Sequence, residues 1–210
     1  FEVSRVVVEA KGVKSIFLKG TFPSKPGQFI MVWLPGVEEK PMAISETTKD
    51  EFAFCYHTVG KFTKACDNLK KGDKVGIRGP YGNAFTTNKK TVVVAGGIGI
   101  SSVATAIDAV QNPIIIHGAR DENHLVYQRR FKDMIITTDD GSAGKRGFVT
   151  DALAEVLEKN RDIELVICCG PEIMIVNVLK VCEKYSIECE AALERYMKCG
   201  FGICGNCLVD

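Results

Sequence analysis

At 210 residues, with 46% apolar and 25% charged side chains, the chain is long enough to bury one large or two small cores and has the balance of a soluble globular protein. A formal net charge of +1 excludes the strong field that would recruit nucleic acid or an anionic membrane. The nine cysteines are an odd number divided between apolar runs and a terminal loop, which suits reduced thiols and a metal site in the cytoplasm better than the disulfide lattice of a secreted protein.

No signal peptide is read at the start, where residues 1–8 already have the character of a strand, and the missing initial Met is read as trimming. Residues 15–19, 28–34, 42–45, 52–56 and 74–78 are further strand candidates, separated by Pro23, Pro26, Gly27, Pro35, Gly36, Pro41, Gly72 and Asp73. Short strands at these intervals predict a six-stranded antiparallel β-barrel, with one short helix over 62–69. Near 86–90 the composition changes, and strands at 92–95, 114–117, 134–137 and 165–168 alternate with helices at 101–110, 125–131, 150–158 and 172–184. That alternation predicts an α/β domain with a parallel sheet and right-handed crossovers. Residues 91–110 are apolar enough to raise a membrane span, but their glycines, Ser101, Ser102 and Asp108 fit a buried strand, turn and helix better. The expected division is therefore β + α/β: a barrel over residues 1–88, a nucleotide-binding domain over 89–192 and a terminal loop over 193–210.

Two turns of the second domain could carry chemistry. Gly96, Gly97 and Gly99 stand between the first strand and its helix, where glycines let backbone amides approach a pyrophosphate at the positive end of the helix. Tight packing alone accounts for the same glycines, and their spacing is not the strict GxGxxG pattern. Cys169, Gly170 and Pro171 close the last predicted strand. Ligands in open parallel sheets lie beyond the carboxyl ends of strands, so both turns are expected to face one crevice, with Cys169 against a nicotinamide ring. Here too a small residue at a strand end, followed by Pro171 opening a helix, explains the letters without a ligand.

Near the end of the chain Cys199, Cys204 and Cys207 are separated by four residues and then two, the way plant-type [2Fe-2S] loops open before a distant fourth ligand. Gly200, Gly202 and Gly205 suit a backbone that curls round sulfides with its amides inward. The fourth ligand is expected from a missing tail or an earlier thiol. Zinc and disulfides are the alternatives, although structural zinc usually takes paired Cys-x2-Cys knuckles or a histidine pair, and only one such cysteine pair is present.

Taken in this order and spacing, the barrel, the glycine turn, the Cys-Gly-Pro turn and the Cys-x4-Cys-x2-Cys loop resemble the electron-transfer subunits of B-type dihydroorotate dehydrogenase, within the ferredoxin-NADP reductase superfamily. The resemblance implies that the barrel holds FAD. An Arg-Pro-Ile-Ser signature corresponds to Lys40, Pro41, Met42 and Ala43; a flavin-lining strand to Cys55, Tyr56 and His57; and a Gly-Thr pair to Phe62 and Thr63. Each match departs from the family: Lys40 lacks the planar fork of Arg, Ala43 a hydroxyl, and Phe62 the open backbone of a glycine. Read from composition alone, Lys40 is a solvated lysine and Tyr56 a half-buried strand residue. Residues 79–85 resemble the segment that closes the barrel, and residues 138–142 a stretch near the pyridine nucleotide, where Asp139 and Asp140 equally suit a solvated loop.

The implied mechanism places the nicotinamide of NAD(H) over the flavin, with hydride passing to FAD and electrons leaving singly through the [2Fe-2S] cluster. No acid or base residue is required, and His57, His117 and His124 are read as structural or surface residues. A catalytic partner is implied, in the resembled enzyme an FMN-containing dihydroorotate dehydrogenase subunit of pyrimidine biosynthesis. Similar subunits of hydrogenase, sulfide dehydrogenase or ferredoxin:NADP transhydrogenase complexes are an alternative, and a zinc-stabilised nucleotide-binding module without turnover is another. Arg120 beside Asp121 and Glu122 presents both signs where NADP and NAD are distinguished, so the preference for NAD comes from the resemblance.

Overall fold

The computed structural model describes residues 1–209. They form two compact units, one built from Phe1–Ala84 together with the tail from Glu194 onward, the other from Phe85–Leu193.

In the first unit, β1 (Val3–Ala10), β2 (Val13–Lys19), β3 (Phe29–Leu34), β4 (Glu38–Thr47), β5 (Glu51–His57) and β6 (Gly76–Tyr81) make one antiparallel sheet in the order β1-β2-β5-β4-β3-β6, with α1 (Lys61–Cys66) between β5 and β6. The two ends of that order meet at a short bridge between Glu2 and Lys74, where the Val3 amide donates to the Asp73 carbonyl at 2.8 Å. The sheet thus curls into a barrel-like layer. Its filling follows from strand periodicity: Ile16 and Leu18, Ile30 and Val32, and Phe52, Phe54 and Tyr56 alternate along their strands and meet Phe62 and Cys66 of α1 in one buried cluster.

In the second unit, β7 (Thr91–Gly96) passes through a single 3-10 turn, Gly97–Gly99, into α2 (Ile100–Ala109), followed by β8 (Ile114–Ala119), β9 (Ile135–Thr138), β10 (Lys145–Arg146), α3 (Val149–Lys159), β11 (Leu165–Cys169), α4 (Glu172–Tyr185) and β12 (Glu188–Ala192). All pairings are parallel, in the order β10-β9-β8-β7-β11-β12. β7 and β11 are buried along both faces, which explains their unbroken apolar composition.

The expected helix over 125–131 does not form. Asp121 caps a 3-10 turn at Glu122–His124 by accepting from the Asn123 amide, and Tyr127 has φ +61, which a right-handed helix excludes. Leu125, Val126 and Tyr127 are consecutive and all buried, so they do not mark one helical face. Conversely, β12 was not among the predicted strands, because Glu188 and Glu190 make it read as polar although Cys189 and Ala191 pack inward on α4.

Candidate functional site

The second sheet has its topological switch point between β7 and β11. From β7 the chain steps outward to β8, β9 and β10, then returns through α3 to lay β11 on the other side of β7. At such a point the connections leave in opposite directions and open a crevice at the carboxyl ends of the strands. Ala95 is level with Cys169, so the glycine turn and the Cys169-Gly170-Pro171 turn lie side by side there.

The glycines divide by role. A methyl group on Gly99 would stand 2.7 Å from the carbonyl carbon of Cys169 and 2.9 Å from the Cα of Gly170, and one on Gly96 would meet Pro171 Cδ at 2.9 Å. Gly99 is glycine because backbone packs on backbone, and Gly96 because the side chains of Pro171 and Met174 close over it. Gly97 has φ +52, and a methyl group there would meet nothing within 4 Å. It is the one of the three at which an added side chain would enter open space. Cys169 as a whole residue is 1% exposed, so the accessible surface at this turn belongs to the half-buried Gly170 and the exposed Pro171.

In the first unit, a groove of about 370 Å³ brings together Lys40, Pro41 and Met42 of β4, Lys61, Phe62 and Thr63 of α1, and Arg195 and Tyr196 of the tail. Lys40 pairs with Glu38 at 3.2 Å, and its ammonium lies 5.4 Å from the centre of the Tyr196 ring. Three cationic side chains beside apolar and aromatic surface suit a dinucleotide, whose pyrophosphate needs charge and whose rings need contact area. Thr63 is spent locally: its Oγ1 accepts from the amides of Val59 and Gly60, both at 2.9 Å, and fixes the start of α1. Phe62 keeps its side chain in the core.

Ala43, Cys55, Tyr56 and His57 are not on that groove. Tyr56 is buried, and its hydroxyl donates to Asp67 Oδ1 at 3.1 Å; burial and the Asp67 carboxylate push the phenol far above its ordinary pKa. Cys55 is buried, while His57 is exposed. The β4–β5 pairing ends at Ile44 opposite Phe54, so β4 has parted from β5 at the level of residues 55–57. Sequence reasoning missed Lys61, Arg195 and Tyr196. The only hint was their neighbourhood to segments already singled out.

The cysteine loop is held on the first unit by three contacts. Gly200 sits against Met31, where a methyl group would stand 2.7 Å from Cγ. Phe201 lies on Tyr81 with ring centres 6.3 Å apart, and Arg78 Nη2 donates to the Cys199 carbonyl at 3.3 Å. Gly200, Gly202 and Gly205 all have positive φ, at +83, +85 and +68, which turns successive amides toward one side. The amide of Cys204 reaches the Cys199 sulfur, with further help from the Cys204 thiol and the amides of Phe201 and Ile203, and together they pull the Cys199 thiol down to about 6. Among the described residues no three His, Cys, Asp or Glu side chains converge as a finished metal site. The donor chemistry nevertheless fits an iron-sulfur centre: three accessible or half-accessible thiols, one already favoured as thiolate, in a ring of inward amides.

Residues 93–180 match the oxidoreductase NAD-binding domain family. The chain is 43% identical over 216 residues to a probable dihydroorotate dehydrogenase B (NAD(+)) electron transfer subunit of Methanocaldococcus jannaschii, an alignment covering 99% of this chain and 82% of that one. It is 42% identical over 205 residues to the protein of the same description from Pyrococcus furiosus, covering 94% and 79%. Among solved structures, the NADH-dependent reduced ferredoxin-NADP oxidoreductase, described in connection with flavin-based electron bifurcation, superimposes with a TM-score of 0.86 at 27% identity, over 98% of this chain and 80% of that one. No helix among the described residues is long and apolar enough to cross a membrane. With relatives this similar over nearly its whole length, the chain belongs to the family of dihydroorotate dehydrogenase B (NAD(+)) electron transfer subunits.

Proposed function

We propose that this chain carries electrons between NAD(H), FAD and a [2Fe-2S] cluster on behalf of a catalytic partner, an FMN-containing dihydroorotate dehydrogenase subunit. The observation that carries the reading is the pair of turns at the switch point of the parallel sheet, Gly96–Gly97–Gly99 and Cys169–Gly170–Pro171. Gly97 and the first turn of α2 present amides to a pyrophosphate, and Gly99 holds the two turns together. Gly170 and Pro171, the accessible residues of the second turn, form the opposite wall, where the nicotinamide end is placed, with Cys169 buried beneath them.

FAD belongs to the first unit. Lys40, Lys61 and Arg195 neutralise its pyrophosphate, Pro41, Met42 and Tyr196 supply contact area, and Ala43 with the backbone of residues 55–57 borders the ring system where β4 and β5 separate. Cys199, Cys204 and Cys207 supply thiolates to the cluster. Bound FAD exchanges hydride as a two-electron carrier and single electrons with an iron-sulfur centre, which is the chemistry such a subunit contributes. The chain's own part is to bind, orient and tune; no side chain is assigned a proton-transfer role.

An anaerobic absorption spectrum before and after NADH, with iron and zinc measured on the same sample, tests this. Flavin and cluster bands that bleach with NADH are expected. A protein that retains zinc, lacks iron and stays unreduced by NADH after FAD is supplied would overturn it. The likeness to the ferredoxin-NADP oxidoreductase structure favours a second reading, in which the same chemistry serves a ferredoxin-linked complex. Co-purification from the native source separates the two, because only the first predicts an FMN-containing subunit that turns over dihydroorotate.

A further inference from the structure

The Arg78 guanidinium is pinned on several sides. Its Nε and Nη2 grip the Glu39 carboxylate at 2.8 and 2.6 Å, Nη1 donates to the Tyr81 hydroxyl at 3.3 Å, and Nη2 also reaches the Cys199 carbonyl at 3.3 Å. A bidentate fork of this kind fixes direction as well as distance. Tyr81, one of its partners, is also the ring on which Phe201 rests. One cation thus ties β6 to the first cysteine of the loop, and one anion on β4 holds the cation in place.

We propose that Arg78 is a positioning residue for the cysteine loop and that the Arg78–Glu39 pair sets the reduction potential of the cluster held there. This rests on the reading of Cys199, Cys204 and Cys207 as cluster ligands. Reduction adds one negative charge to the cluster, so a fixed positive charge beside a ligand favours the reduced form and a negative charge disfavours it. Arg78 and Glu39 therefore pull in opposite directions. Their side chains remain 40% and 27% exposed, so solvent screens both and the effect is moderate. Lysine keeps the charge but not the fork, which separates tuning from positioning.

The experiment is a reductive titration of the full chain carrying its cofactors, read by electron paramagnetic resonance, on Arg78→Gln, Arg78→Lys and Glu39→Gln. At a fixed ambient potential, the ratio of reduced to oxidised cluster is expected to fall about threefold or more in Arg78→Gln and to rise by a similar factor in Glu39→Gln, a tenfold change corresponding to about 59 mV for one electron. Arg78→Lys should keep the native ratio but release iron faster to a chelator. An unchanged ratio in Arg78→Gln, or shifts of the same sign in Arg78→Gln and Glu39→Gln, overturns the inference. If Arg78→Gln does not retain iron, Glu39→Gln decides alone: a rise supports the tuning and no rise overturns it. Iron absent from the unsubstituted chain would instead refute the cluster reading itself.

Discussion

Gly97 and Gly99 are two residues apart, yet alanine at each should fail in a different way. At Gly99 the new methyl would stand 2.7 Å from the Cys169 carbonyl carbon and 2.9 Å from the Gly170 Cα. Both obstacles are backbone, so no side chain can rotate aside, and the ends of β7 and β11 must part by most of an ångström. Overpacking of this kind costs about 1–3 kcal/mol. For a chain of this size that is a fall in melting temperature of roughly 2–12 °C, at about 2–4 °C per kcal/mol. At Gly97 the methyl meets no atom within 4 Å, and the cost is that of holding alanine at φ +52, about 1–2 kcal/mol. The distinguishing readout is NADH. Alanine at 97 stands where a pyrophosphate has to approach the amide and should weaken NADH binding about tenfold or more, which is about 1.4 kcal/mol. Thermal unfolding and an NADH titration of flavin reduction on both variants check this. Native NADH affinity in Gly97→Ala would refute the assignment of that amide to the nucleotide, and native stability in Gly99→Ala would refute the packing argument.

Other expectations come from single side chains. His117 lies fully buried on β8, and among the described residues neither ring nitrogen has a hydrogen-bond partner; burial pushes its pKa down to about 4. Because the unfolded chain then binds the proton more tightly, stability is full above about pH 6.5 and falls as pH drops toward 4, by about 3 kcal/mol in all. Urea midpoints should show this loss in the native chain and not in His117→Leu; an equal loss in both would remove His117 as its cause. Cys204→Ser should lower iron content and the cluster absorption while leaving NADH reduction of the flavin intact; unchanged iron would show that Cys204 is not a ligand. Lys40→Ala should weaken FAD retention several-fold, as expected for one charge-assisted contact worth about 1 kcal/mol, measured by flavin released on dialysis, and undiminished retention would move the pyrophosphate elsewhere.

Much of this architecture is legible in local patterns. Phe52, Phe54 and Tyr56 alternate with the period of a strand, the continuous apolar run of β7 announces a strand covered on both faces, and Pro171 marks where α4 begins. The four-then-two spacing of the terminal cysteines is visible for the same reason, since its chemistry is set by residues close together in the chain. Tertiary structure decided the rest. It separated Gly97, which faces open space, from Gly99, which packs on Cys169, although both look like members of one glycine turn. The segment 125–131 lost its helix to a left-handed Tyr127, and the acidic β12 was recruited because β11 offered an edge to pair with. The tail was brought back so that Arg195 and Tyr196 line a groove with Lys40, and Arg78 reaches Cys199 across 121 residues of sequence. Periodicity and turn chemistry act over a few residues, whereas these contacts exist only once the sheets have closed and distant backbones lie within hydrogen-bonding distance.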